Sequence, residues 1–91
     1  MFIVISYDIK SDRRRNRVLK TLKNYGTRVQ FSVFECNLNS EQFERLKNHL
    51  SFLIKPSEDS IRFYRLCEDC KRKVFILGLG ILTEDEEVYI V

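Results

Sequence analysis

The chain has 91 residues, 44% hydrophobic and 32% charged, with a formal net charge of +3 and an odd count of 3 cysteines. This bounds the protein to one small folded domain, expected to cover residues 1–91, and excludes a disordered chain. No apolar run approaches the ~18 residues of a membrane span. The opening residues lack the basic region and cleavage site of a signal peptide, and an odd cysteine count argues against a secreted disulfide framework; a cytoplasmic protein is expected.

Residues 1–9 form an almost unbroken apolar run that ends on Tyr7, Asp8 and Ile9. Rich in β-branched side chains, it reads as a strand buried on both faces, with a charge where the strand should run out. Ser11 and Asp12 are N-cap candidates for a helix to Tyr25, in which Val18, Leu22 and Tyr25 share a face with Leu19 beside them. Gly26 is expected to close this helix at positive φ. Residues 27–38 alternate with period two and predict one bent strand or a very tight hairpin.

Asn39-Ser40-Glu41-Gln42 resembles a capping box ahead of a second helix, whose Phe43, Leu46, Leu50, Leu53 and Ile54 keep helical spacing until Lys55-Pro56. A strand over residues 60–66 follows. Cys67 to Lys73 reads as a charged loop, and residues 74–82 as a short strand and then a bend at Gly78 and Gly80. An acidic turn and a four-residue terminal strand, residues 88–91, complete the chain. So short a strand needs another chain's edge to pair with. The order β-α-β-(β)-α-β predicts an α+β, ferredoxin-like antiparallel sheet with two helices on one face.

Charge is unevenly distributed. Residues 10–28 carry Lys10, Arg13, Arg14, Arg15, Arg17, Lys20, Lys23 and Arg28 against the single acid Asp12, a net of +7. A basic segment directly after a strand fits a phosphate-backbone binder, and it equally fits a solvated helix face. Asp8 is the sharper candidate. Aspartates at strand ends commonly cap the next helix, but Ser11 and Asp12 are better placed to do so. A divalent cation such as Mg²⁺ is a plausible use for the free carboxylate, although one carboxylate makes a poor site. A two-fold axis near Asp8 in a homodimer would supply the second. Tyr7 and Phe34 fit the core, and Arg15, Arg17 and Arg28 fit either surface charge or phosphate contacts. Cys67-Glu68-Asp69-Cys70 is a lone CxxC; Cys36 and His49, the latter expected to be exposed, are the only other cysteine and histidine.

The run Tyr7-Asp8-Ile9, the helix start Arg15-Asn16-Arg17-Val18, the stretch from Tyr25 through Arg28-Val29-Gln30-Phe31-Ser32-Val33-Phe34-Glu35, and Asp59-Ser60-Ile61-Arg62-Phe63-Tyr64 together resemble the CRISPR-associated Cas2 family across nearly the whole chain. That resemblance implies a ferredoxin-like homodimer whose terminal strand joins the partner's sheet. It also implies a metal-dependent endonuclease acting on RNA or DNA, with Mg²⁺ (or Mn²⁺) shared between two copies of Asp8. Tyr7, Arg15, Arg17, Arg28 and Phe34 would be supporting active-site residues. Arg13, Arg14, Arg15, Arg17, Lys20 and Arg28 form the expected nucleic-acid surface. A CRISPR integrase subunit is the implied protein partner, and the pattern gives no role to Cys67 and Cys70. A non-catalytic adaptor that binds duplex DNA and bridges integrase subunits is the main alternative, and a related ribonuclease toxin is a third reading.

Overall fold

A computed structural model describes residues 1–83. The elements run β1 (Phe2–Asp8), α1 (Asp12–Lys23), β2 (Gly26–Gln30), β3 (Val33–Asn37), α2 (Ser40–Leu53), β4 (Ser60–Leu66) and a short α3 (Glu68–Arg72). The sheet has the order β2-β3-β1-β4, and every pairing in it is antiparallel. This is the expected ferredoxin-like α+β fold, with β1 central and α1 and α2 on one face. No helix among the described residues is long and apolar enough to cross a membrane. The acidic turn and the strand expected at residues 88–91, with its pairing to a partner, lie outside the described residues.

Period-two alternation in β1 decides which side chains enter the core. Ile3, Ile5 and Tyr7 turn toward the helices and are buried with Val18 and Leu22 of α1, Phe34 and Cys36 of β3, and Leu46 and Leu50 of α2. Val4 and Ser6 face the other way and are half-buried, and Asp8 is exposed. The expectation of a strand buried on both faces is therefore corrected. The second face has no layer of long helices: Phe2 is buried there, with Lys71 of α3 against its ring, but Val4 and Ser6 are only half-buried.

Helix α1 starts at Ser11, whose hydroxyl accepts from the Arg14 N–H at 3.3 Å. It ends at Lys23, with Asn24 as C-cap and no left-handed residue. The predicted role of Gly26 is corrected accordingly. It opens β2 at negative φ, and it must be glycine for lack of room: a Cβ there would collide with Cys36 Sγ and the Glu35 carbonyl oxygen. Asn39 and Gln42 make the predicted capping box of α2, the Asn39 Oδ1 accepting from Gln42 N at 2.7 Å and Gln42 Oε1 from Asn39 N at 2.9 Å.

Residues 27–38 form the hairpin alternative. A two-residue turn, Phe31-Ser32, joins β2 to β3, and the pairing slips between Arg28 and Gln30. In β3 the alternation holds and buries Phe34 and Cys36, while Val29 and Phe31 of the other predicted side are exposed. In β2 the bulge sets Arg28 opposite Phe34 but Gln30 opposite Val33, so those two no longer share a face. The expected strand after residue 73 is absent among the described residues. Residues 74–83 are irregular, with Gly78 and Gly80 at φ of 90° and 141° providing the predicted bend. The Thr83 N–H donates to Glu35 Oε1 at 3.0 Å and holds the end of this segment to β3.

Candidate functional site

Asp8 ends β1 on the face opposite the helices. Its register partner on β4 is Ser60, while Arg62 pairs with Ser6 and Tyr64 with Val4. Ser6, Tyr7, Asp8, Ser60, Arg62 and Tyr64 line a shallow polar recess of about 270 Å³. Arg62 reaches along the strand to donate to the Tyr64 hydroxyl at 3.3 Å. Lys10 Nζ stands 3.7 Å from Asp8, and both side chains are exposed, so that pair holds neither group tightly. The carboxylate is open to ligands.

In kind, this donor chemistry suits a hard divalent cation, which prefers carboxylate and hydroxyl oxygens and keeps several waters. In number it is short. Among the described residues no three His, Cys, Asp or Glu side chains converge to hold a metal ion. Among the described residues, one chain thus brings a single strong ligand, Asp8, to this recess.

On the opposite face lies a different cluster. The Tyr7 ring packs against Phe34 with centroids 6.4 Å apart, and its hydroxyl donates to the Phe31 carbonyl at 3.3 Å. Arg28 donates to the same carbonyl through Nε and Nη2, at 3.1 and 2.8 Å, and its guanidinium lies 5.1 Å from the centre of the Phe31 ring. Arg15 bonds Asp12 and the Ile9 carbonyl. Burial pushes the Tyr7 phenol up, and the positive charges of Arg28 and Arg15 oppose that shift. At neutral pH Tyr7 is a protonated phenol and not a base.

The predicted site residues therefore divide between two faces. Tyr7 and Arg28 come together on the Phe31 carbonyl at the β2–β3 turn, Arg15 is held at the start of α1 by Asp12 and the Ile9 carbonyl, and Asp8 faces away from Tyr7 across the sheet. Phe34 is entirely buried, so its part is to hold Tyr7. Arg17, Arg13 and Lys20 are exposed on α1 and have no ion pair among the described residues.

Arg14 is engaged elsewhere. It donates through Nε and Nη2 to the buried Asp59, at 2.7 and 3.1 Å, and to Glu58 at 3.1 Å. Hydrogen bonds from Arg14 hold the Asp59 carboxyl well below the usual carboxylate range, against the opposing effect of desolvation. Sequence reasoning passed over Ser60, Arg62 and Tyr64 as site residues. Their period-two spacing in β4 was visible, but the register that puts them beside Asp8 was not.

The CxxC is also placed differently from its expectation as part of a loop. Cys67 follows β4 and caps α3, its sulfur accepting from Cys70 N at 3.4 Å. That contact draws the Cys67 thiol down, while the bond to Cys67 pushes the Cys70 thiol up. Cys36 is buried away from both, and His49 is exposed on α2.

Comparison with known proteins gives a consistent result. A family model described as CRISPR associated protein Cas2 matches residues 1–74. A Chloroflexus aurantiacus protein named CRISPR-associated endoribonuclease Cas2 3 is 50% identical over 91 residues, covering 100% of this chain and 98% of its own length. The crystal structure of Streptococcus pyogenes Cas2 at pH 6.5 superposes with a TM-score of 0.76 at 37% identity, covering 86% of this chain and 100% of that one. A chain of a partial Cas6-RT-Cas1–Cas2 complex superposes with a TM-score of 0.73 at 29% identity, covering 88% of this chain and 96% of its own.

Proposed function

Because this chain belongs to the Cas2 family of CRISPR-associated proteins, we propose that it is a homodimeric, divalent-metal-dependent endonuclease that cuts RNA or DNA and works with an integrase subunit in CRISPR adaptation. The observation that carries this reading is the open Asp8 carboxylate in its polar recess at the end of a central strand. The endoribonuclease name of the Chloroflexus relative supports the chemistry, and the Cas1–Cas2 complex supports the partner.

Asp8 and its counterpart in a second copy would hold Mg²⁺ or Mn²⁺. When bound, such an ion supplies charge neutralisation at a phosphoryl oxygen and acidifies a water. The chain's own residues do the rest. Arg62 and the Tyr64 hydroxyl border the recess and can orient a phosphate oxygen there. Arg13, Arg17 and Lys20 provide a positive helix surface along which the backbone can lie. Ser60, directly across from Asp8, offers a hydroxyl to the same phosphate or to a water. Support for dimerisation comes from apolar surface that one chain leaves open: Tyr64 on the sheet face, and Phe75, Leu77, Leu79 and Ile81 beyond α3 are all exposed.

The test is hydrolysis of labelled RNA and DNA by wild type and Asp8→Ala, with and without Mg²⁺. The variant is expected to fall to background while keeping its melting temperature, since Asp8 is exposed. Undiminished, metal-dependent cleavage by Asp8→Ala would sink the assignment. The structural likeness to a chain of the Cas1–Cas2 complex favours a second reading, an adaptor that binds duplex DNA without cutting it. In that case Asp8→Ala retains binding and integration, and charge reversal at Arg13 and Arg17 abolishes both.

A further inference from the structure

Two-residue turns between strands are ordinarily polar, because the tip of a hairpin faces water. Here the tip carries Phe31, a residue 72% exposed. A single exposed apolar residue needs no explanation by itself. What sets Phe31 apart is how firmly it is held. Its carbonyl accepts from Arg28 Nε, Arg28 Nη2 and the Tyr7 hydroxyl at once. The Arg28 guanidinium also lies against the ring, 5.1 Å from its centre. The neighbouring Ser32 carbonyl accepts from Tyr7 N at 3.1 Å. The backbone of the turn is thus fastened to β1, and the ring that it presents to solvent has Arg28 against it.

An exposed π-face on an anchored turn, with an arginine against it, has the properties of a stacking platform. We propose that Phe31 stacks an unpaired nucleobase, with Arg28 on the ring's other side, and so forms a contact, on the face opposite the Asp8 recess, that only a single-stranded or frayed nucleic acid can use. The proposal rests on the nucleic-acid reading above and deepens it. Charge complementarity identifies the occupant. Arg28, whose guanidinium lies against the ring, supplies a cation suited to a phosphate beside a splayed base. A duplex cannot use the ring in this way, because its bases are already stacked and paired.

Binding is measured by fluorescence anisotropy with Mg²⁺ chelated, so that no strand is cut. The probes are a labelled single-stranded oligonucleotide, the same strand with abasic positions, and its duplex, each in RNA and DNA form. Phe31→Ala is expected to weaken the single strand about 5- to 150-fold and leave the abasic strand and the duplex unchanged. Phe31→Tyr, which keeps a ring, should restore wild-type affinity. Phe31→Ala without effect on a strand that wild type binds, or with an equal loss on all three probes, overturns the stacking role and leaves the nuclease reading intact. Failure of wild type to bind any probe overturns both.

Discussion

The carboxylate of Asp59 accepts hydrogen bonds from four donors drawn from three parts of the chain: Lys10 N at 3.0 Å, Lys55 N at 2.9 Å, and Arg14 Nε and Nη2 at 2.7 and 3.1 Å. It thereby fastens the turn after β1 to α1 and to the loop before β4, directly beneath the Asp8 end of the strand. Its folded-state pKa is depressed, so its contribution is present above the unfolded value near pH 4 and is lost as pH falls below that. Asp59→Asn should melt at a lower temperature than wild type at pH 7, and the gap should narrow as pH drops toward about 2. Thermal melts across that range check this; a gap independent of pH would show that the ion pair is not its source. Sequence reasoning read Arg14 as one more cation of a basic surface. Its partner lies 45 residues away, and nothing local in either stretch announces the pair. Asp8, by contrast, was legible, because a charge at the end of an apolar strand stands out without any knowledge of the fold.

Among the elements, the β2–β3 hairpin was the hardest to read. Its tip has no residue at positive φ, so neither Gly nor Asn marks the turn. The bulge at Arg28–Gln30 then offsets the alternation that a periodicity argument depends on. Helix α3 was missed for a simpler reason: five residues are too few to establish a 3.6-residue period. The existence of the two long helices and of β1 was legible because apolar period and, for the helices, the N-caps agree, whereas the end of α1 and the covering of the second face of β1 depend on tertiary packing. Gly26 is the element's tightest point. Gly26→Ala forces a methyl group against Cys36 Sγ and the Glu35 backbone, and backbone cannot move aside cheaply. A loss of about 1–3 kcal/mol is expected from such overpacking, read as a lower urea midpoint with an unchanged slope. An unaltered midpoint would mean that β2 drifts off β3 without penalty.

At the scale of the whole molecule, the three thiols report on different things. Cys36 is in the core and its thiol is pushed up to about 12, whereas Cys67 and Cys70 are exposed beyond β4. A thiol-reactive dye at neutral pH should label two groups promptly and the third only at the rate of global unfolding. Adding urea should then merge the two phases. Prompt labelling of all three would place Cys36 in a region that opens locally. This division was invisible in the sequence, where the cysteines differ only in spacing, because burial depends on the sheet order β2-β3-β1-β4.

That order has a consequence for how the chain can change over generations. β1 is hydrogen-bonded along both flanks, so it has no free edge on which to absorb an altered length. Ile3, Ile5 and Tyr7 belong to one side and Asp8 to the other. Losing or gaining one codon between Ile3 and Tyr7 would put those two residues on opposite sides, either exposing core or turning the carboxylate inward. Changes of two codons preserve the parity. Drift in this strand is therefore confined to even steps, and a lineage that departs from them must give up either its core or its carboxylate.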